Sequence, residues 1–199
     1  METGNPSQQV LARRRQVVNP ADYGATERLR DGRTLHIRAV RPTDRDALLA
    51  AFERTSSETR YRRFFGPKKT ITAPELDRAT HVDFINEVAL VALLDEEDGS
   101  QTLAGSARYV VTEPGRAEVA FTVDDQHQNL GIGTRLMRHL ARIADEAGLQ
   151  ELHAEVLADN TPMLKVFEHA GLEMHVHHHA GIANVRLDLS HKNQTKNPN

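Results

Sequence analysis

The sequence predicts a mixed α/β domain, one sheet flanked by helices without a regular βαβ alternation. Three observations lead there. Segments of strand and helix periodicity follow in the order β, helices, β-β-β, α, β, α, β-β. Two apolar runs are joined by "TEPG", a hairpin turn, so neighbouring strands run antiparallel. A long amphipathic helix opens directly behind "QNLGIG", where two glycines stand two apart.

Each element carries its own signal. "TLHIRAV" alternates Leu35, Ile37 and Ala39 with His36 and Arg38, the pattern of a half-buried strand. Thr43, with Asp46 behind it, is the expected cap of a helix whose face is Leu48, Leu49 and Phe52. Thr55 with Glu58, and Thr72 with Glu75, have the spacing of capping boxes for two more short helices. "EVALVALL" is continuously apolar, as a central strand is. "DEEDGS" turns the chain into "TLAGSARYVV", and "TEPG" turns it again into "AEVAFTV". The helix behind the glycines buries Ile132, Leu136, Leu140, Ile143 and Ala147 and stops at Gly148. "ELHAEVL" is a strand. In "NTPMLKVFEHAG", Asn160 caps a short helix, Pro162 sits in its first turn and Gly171 follows its end. "LEMHVHHH" and "ANVRLDL" are two last strands.

Residues 1–30 are polar, with a basic cluster at Arg13–Arg15, and are expected to form a flexible arm. The domain is expected to run over 31–189, and 190–199 to be a disordered tail. The 199 residues suffice for one domain with a real core. A net charge of -3 is too small to favour bulk binding to nucleic acid or membrane. No apolar run is long enough to span a bilayer, and the N-terminus lacks the apolar stretch of a signal peptide. The lack of cysteine removes disulfides, thiolate metal sites and any acyl-cysteine intermediate, and it fits a cytoplasmic setting.

The glycine stretch is where chemistry enters. A dinucleotide fingerprint would need a third glycine at Leu136 and a parallel βαβ unit. A P-loop would need a lysine where the chain has Gly133-Thr134-Arg135. What remains is a pyrophosphate cradle at a helix N-terminus, with amides from about Asn129 to Thr134 turned to an anion, or a plain glycine turn before a helix. Arg135 and Arg138 favour the cradle, because cations in a first turn oppose the helix dipole unless an anion offsets them.

Gln128-x-x-Gly131-x-Gly133, after a strand ending at Val123, resembles the acyl-CoA signature of the GNAT superfamily of N-acyltransferases. "LADNTPMLKVFEHAGLEM" resembles that superfamily's later motif, in which an Asn caps the helix flanking coenzyme A. The element order fits the GNAT fold from about Arg33 to Leu189. "LRDGRTLHIRAVRPTDRDALLAAFERTSSETRYRRFFGP" and "VLADNTPM" resemble the GNAT domains of bacterial protein lysine acetyltransferases. Many of those are fused to a large acyl-CoA-synthetase-like domain, which this length cannot hold, so the resemblance implies a stand-alone catalytic domain. It implies a twisted, mostly antiparallel sheet of six to seven strands, acetyl-CoA as acyl donor and no metal. The acceptor it implies is a protein lysine, with a small amine or a non-catalytic acyl-CoA sensor as the alternatives. Residue by residue, Phe121, Thr122 and Val123 would pair by backbone with the pantetheine arm. Gln128, Asn129, Leu130, Gly131, Ile132, Gly133 and Thr134 would hold the pyrophosphate, and Asn160 would sit beside the pantetheine.

An amine acceptor needs a base, since a lysine of pKa about 10.4 is neutral only about once in a few thousand molecules at pH 7. Glu118, a carboxylate in the otherwise apolar "AEVAFTV", is the candidate, and burial is expected to raise its pKa. The resemblance agrees, because lysine acetyltransferases of this superfamily place their glutamate base at this strand position. Glu155 is the reserve. A backbone amide near Val123 would polarise the thioester carbonyl. Many GNAT enzymes protonate the leaving thiolate with a Tyr where this chain has Phe167, so no general acid is assigned. His175, His177 and His179 share one strand face, read as a solvated face in preference to a metal site. In "RYRRFFG", Tyr61, Phe64 and Phe65 are expected to face the core; the resemblance implies that this stretch lies near the acceptor side, where Arg60, Arg62 or Arg63 would meet an acidic protein surface.

Overall fold

The structure, a computed structural model, describes residues 19–189; the Arg13–Arg15 cluster and the tail from 190 lie outside the described residues. The strands are β1 (Gly24–Arg28), β2 (Thr34–Ala39), β3 (Glu87–Asp95), β4 (Gln101–Glu113), β5 (Arg116–Val123), β6 (Glu151–Leu157), β7 (Glu173–His179) and β8 (Ile182–Asp188). The helices are α1 (Arg45–Arg54), α2 (Ser57–Phe64), α3 (Ala73–Thr80), α4 (Ile132–Glu146) and α5 (Thr161–Glu168). All eight strands form one sheet in the order β1-β2-β3-β4-β5-β6-β8-β7. Every neighbouring pair is antiparallel except β5 and β6.

This is the mixed α/β sheet that the sequence predicts, with one strand more. β1 lies in the stretch read as a flexible arm, so that reading is corrected for residues 19–30. Its sequence, Gly-Ala-Thr-Glu-Arg, has no apolar alternation. The strand is held by its pairing with β2, by buried Tyr23 just before it, and by the ion pair of Glu27 with Arg135 on α4.

Two helical layers cover the sheet unequally. β3 is buried along both faces, which is why its run is continuously apolar. Val88, Leu90, Ala92 and Leu94 join the main core with Leu136, Met137 and Leu140 of α4. Ala89, Val91 and Leu93 join a smaller core with Ala47, Leu48 and Ala51 of α1. The α1–α3 layer ends over β5 and β6, so the same face of β8 and β7 is bare and polar. Every residue of β7 but Met174 is exposed.

The helix caps follow the local sequence signals at α3 and α5 and depart from them at α1 and α2. Asn160 caps α5 by accepting from Met163 N–H at 3.3 Å, and the Glu75 carboxylate accepts from Thr72 N–H at 2.8 Å, as expected. α1 begins after a short 3-10 turn with Asp44, not Thr43, as its cap. α2 is capped by Ser56, whose hydroxyl accepts from Thr59 N–H at 3.1 Å. Thr55 is buried instead and donates to Ala51 carbonyl at 2.8 Å.

Candidate active site

β5 and β6 pair only from Arg116 to Glu118 against Glu151 to His153. Beyond that the two strands part, β5 continuing to Val123 and β6 to Leu157. Parallel strands joined over three positions and then splayed leave their facing backbone edges unpaired. The wedge between them opens into a cleft of about 380 Å³. α2 closes it on one face of the sheet, and α5 and the start of α4 on the other. Glu118 is the last paired residue, at the apex.

The glycine loop forms the far end of this cleft. A 3-10 turn at Asp125–His127 ends β5, and Gln128 follows in extended backbone. Asn129 (φ 63°) and Gly131 (φ 76°) are both left-handed. Gly131 is the N-cap of α4, and no acidic side chain occupies the first turn, so the amides of Ile132, Gly133 and Thr134 keep their partial positive charge. The two glycines serve different ends. Gly131 carries the left-handed turn. Gly133 lets α4 lie against α5, since a Cβ there would stand 3.0 Å from Val166 Cγ2.

Phe121, Thr122, Val123, Gln128, Asn129, Gly131, Ile132, Gly133, Thr134 and Asn160 all line the cleft. Leu130 does not; it packs against the main core. Glu118 and Glu155 both line it. The expected burial of Glu118 is not found: its side chain is exposed, on the face shared with Arg116, Ala120 and Thr122. Glu155 is exposed too. Phe167 is buried, its ring edge-on to Phe121 at 6.1 Å, and packs the floor of the cleft. Arg135 turns out to be structural. It pairs with Glu27 at 2.6 Å and donates to the carbonyls of Gly131 and Arg28, both at 3.2 Å, tying the glycine loop to β1. Arg138 is exposed.

Several residues of the site escaped sequence reasoning. Asp125 accepts from Ser56 N–H at 2.7 Å and from the hydroxyls of Ser56 and Thr59, each at 2.8 Å, clamping α2 to the glycine loop. Burial would raise its pKa, but these three bonds more than offset that and lower it. Gln128 Nε2 adds a bond to Thr59 Oγ1 at 3.3 Å. His153 stands in register with Glu118 on the neighbouring strand, and its Nδ1 is buried with no hydrogen-bond partner. Arg63 of α2 reaches the cleft wall, where burial first, and then the charge of Arg108, bring its guanidinium down to about 10 against the pull of Glu118. None of these has a motif; each depends on a packing the chain order conceals.

The histidine strand has carboxylates the sequence reading missed. His175 Nε2 lies 3.2 Å from Glu173 Oε1 and 3.4 Å from Asp188 Oδ2, a cross-strand charge cluster on the bare end of the sheet and away from the cleft. Tyr61, Phe64 and Phe65 are 48%, 41% and 42% exposed, so the expectation that they face the core is overturned. No helix among the described residues is long and apolar enough to cross a membrane.

Known proteins share this architecture. An acetyltransferase of Pseudomonas aeruginosa is 36% identical over 138 residues, which is 69% of this chain and 74% of that one. Acetyltransferase Pat of Mycolicibacterium smegmatis is 33% identical over 163 residues, 81% of this chain; the chain spans only 47% of Pat's length. The crystal structure of the GNAT domain of S. lividans PAT superposes with a TM-score of 0.74 at 34% identity, covering 83% of this chain and 96% of that one. The pattern of the Acetyltransferase (GNAT) family matches residues 54–172, from the end of α1 to the turn after α5. The splayed strands, the glycine loop and the capped α5 all fall inside that match, and the chain belongs to the GNAT family of acetyltransferases.

Proposed function

We propose that this protein transfers the acetyl group of acetyl-CoA to the side-chain amine of a protein lysine, by direct attack in a ternary complex. The observation that carries the reading is a single cleft that joins three things: a helix N-terminus free of acidic side chains, a parted strand edge and a carboxylate at the apex. The diphosphate of the donor suits the first-turn amides of α4 behind Asn129 and Gly131. Its pantetheine amides suit the unpaired β5 edge at Phe121, Thr122 and Val123, with Asn160 opposite. Similarity to Pat and to the S. lividans domain supports acetyl transfer, and the resemblance of "LRDGRTLHIRAVRPTDRDALLAAFERTSSETRYRRFFGP" to bacterial protein lysine acetyltransferases supports a protein acceptor. A cysteine-free chain suits work in a reducing cytoplasm.

In the reaction, the neutral amine attacks the thioester carbonyl carbon, a C–N bond forms, and the amine proton passes to Glu118 directly or through water. The backbone N–H near Val123 stabilises the developing oxyanion, and the C–S bond then breaks to release CoA thiolate. Exposure of Glu118 is consistent with an acceptor that arrives from solvent over the open face. Phe167 offers no proton, so the thiolate leaves as such or takes one from water.

The test is release of free CoA with candidate proteins and with small amines. Glu118→Gln should lower kcat by about 10²- to 10⁴-fold while calorimetric affinity for CoA stays unchanged. Parental activity in that variant removes Glu118 as base. Turnover with small amines alone removes the protein acceptor.

A further inference from the structure

The face of α2 beside the cleft is the feature that the transfer chemistry leaves unexplained. α2 and the loop after it carry Arg60, Arg62, Arg63, Lys68 and Lys69. Arg62 is paired with Glu58 at 2.6 Å, and Lys68 with Glu75. Arg60 and Arg63 have no carboxylate at ion-pair distance among the described residues. Arg60 lies over the Phe52 ring at 5.1 Å and donates only to the carbonyls of Ser56 and Lys69. Arg63 lies over the Phe64 ring at 5.2 Å, on the cleft wall between Arg108 and Glu118. Arg108 is already paired with Glu87 at 2.6 Å, so it adds repulsion without needing a partner.

A guanidinium held in place, poorly hydrated and lacking a carboxylate is a site for an external anion. The donor diphosphate does not fill that role in the proposed geometry. It sits by the glycine loop, while Arg63 adjoins Glu118, Ala120 and Thr122 on the acceptor side. The exposed rings of Tyr61 and Phe64 continue the patch beyond the residues lining the cleft, so the occupant is larger than a small amine. The mouth is thus bipolar. Glu118 and Glu155 line it from the strands and Arg63 from the helix, while Arg60 stands about one turn back on α2, outside the lining.

Building on the transfer reading above, we propose that α2 is a docking face for an acidic segment of the protein substrate, with Arg63 reading a carboxylate within one or two residues of the acceptor lysine and Arg60 one farther along the segment. The lysine ammonium approaches Glu118 and Glu155, and the flanking carboxylates meet the two arginines. At about 3.3–3.6 Å per residue of extended chain, a neighbour one or two positions away lies within side-chain reach of both poles. Tyr61, Phe64 and Phe65 supply the apolar floor.

The test uses fluorescent lysine peptides identical except for flanking Glu, Gln or Lys, bound to the CoA-loaded protein and followed by anisotropy, with acetyl transfer measured in parallel. The acidic peptide should bind at least about tenfold tighter than the Gln peptide at low salt, and the gap should close as salt screens it. Arg63→Gln and Arg60→Glu should each abolish the preference, Arg60→Glu favouring the Lys peptide, with the change in KM more than in kcat. CoA affinity by calorimetry reports that the variants are folded. Equal binding of the three peptides overturns the proposal, as does a preference that both variants keep. Stronger competition by a single-stranded RNA than by the acidic peptide also overturns it, giving the face to nucleic acid. Tight acidic-peptide binding without acetyl transfer would sink the transferase reading alone; transfer to all peptides alike would sink the docking face alone.

Discussion

Gly133 and Val166 show how one atom can decide the site. Gly133 has ordinary helical backbone, so its need is space: an added Cβ would stand 3.0 Å from Val166 Cγ2 and 3.7 Å from Val123 Cγ2. The first contact is closer than packed carbons tolerate, and the second is ordinary. Gly133→Ala should therefore push α5 off α4 and cost about 1–3 kcal/mol of stability, measured by urea denaturation. It should also weaken CoA binding, because Asn160 and the glycine loop face each other across this contact. Val166→Ala removes the clashing methyls, so adding Gly133→Ala to that background should be nearly neutral. If the two losses simply add, the contact is not the cause. Gly131 is a separate case. Its φ of 76° puts part of the cost of an Ala in the backbone, and the added Cβ would also stand 2.7 Å from Arg135 Nη1, so a change at Arg135 relieves the contact but not the backbone cost.

At the scale of elements, the clamp of Asp125 joins the glycine-loop end of the cleft to α2. Asp125 serves both the Ser56 cap of α2 and the turn before Gln128. Asp125→Ala leaves Ser56 N–H without its partner and frees the loop from α2. It should cost about 1–3 kcal/mol and raise the calorimetric Kd for CoA, while Gly148 and the far end of α4 keep their hydrogen-exchange protection. Uniform loss of protection along α4 would show instead that the bond supports the whole fold. Elements with strong period or punctuation were legible in the sequence: β3 from its unbroken apolar run, α4 from its stripe, α5 from Asn160 and Gly171. β1 was not, because a short edge strand needs only one paired neighbour and little apolar surface. Nor was the cap of α2. Thr55 and Ser56 are adjacent hydroxyl residues with acceptable spacing to a following acid, and only the burial of Thr55 against α1 decides between them. The lining of the candidate site was legible where a backbone shape demanded it, at the left-handed Gly131 and the helix cap Asn160. Glu118 was placed correctly on its strand and wrongly in its burial. A period of two tells which residues share a face and nothing of what covers that face.

The exposure of Glu118 follows from how the helices cover the sheet as a whole. One row of cross-strand neighbours runs Glu87, Val110, Glu118, His153, Arg186, His175. The α1–α3 layer covers its start and ends near Glu118, leaving His153 half-buried and Arg186 and His175 to solvent. The register of that layer on the sheet is set partly by a pair at its root. Arg38 of β2 holds Asp44, the residue before α1, through two bonds of 2.7 Å, and Arg41 N–H adds a third at 2.7 Å. Burial of Asp44 would raise its pKa; the Arg38 fork and the Arg41 amide more than offset it, and the pKa is lowered. A carboxylate depressed on folding stabilises the native state above its unfolded pKa, about 3.9, and loses that contribution as pH falls through the folded value. Arg38→Gln should thus cost most at neutral pH, about 1–3 kcal/mol because Arg38 is itself partly hydrated. The deficit should shrink steadily below about pH 4, where Asp44 takes up a proton in the variant before it does in the parent. Chemical denaturation from pH 7 to pH 3 measures it. A deficit that is constant across that range would mean that Arg38 acts by packing its stem, and that charge does not fasten the helical layer to the sheet.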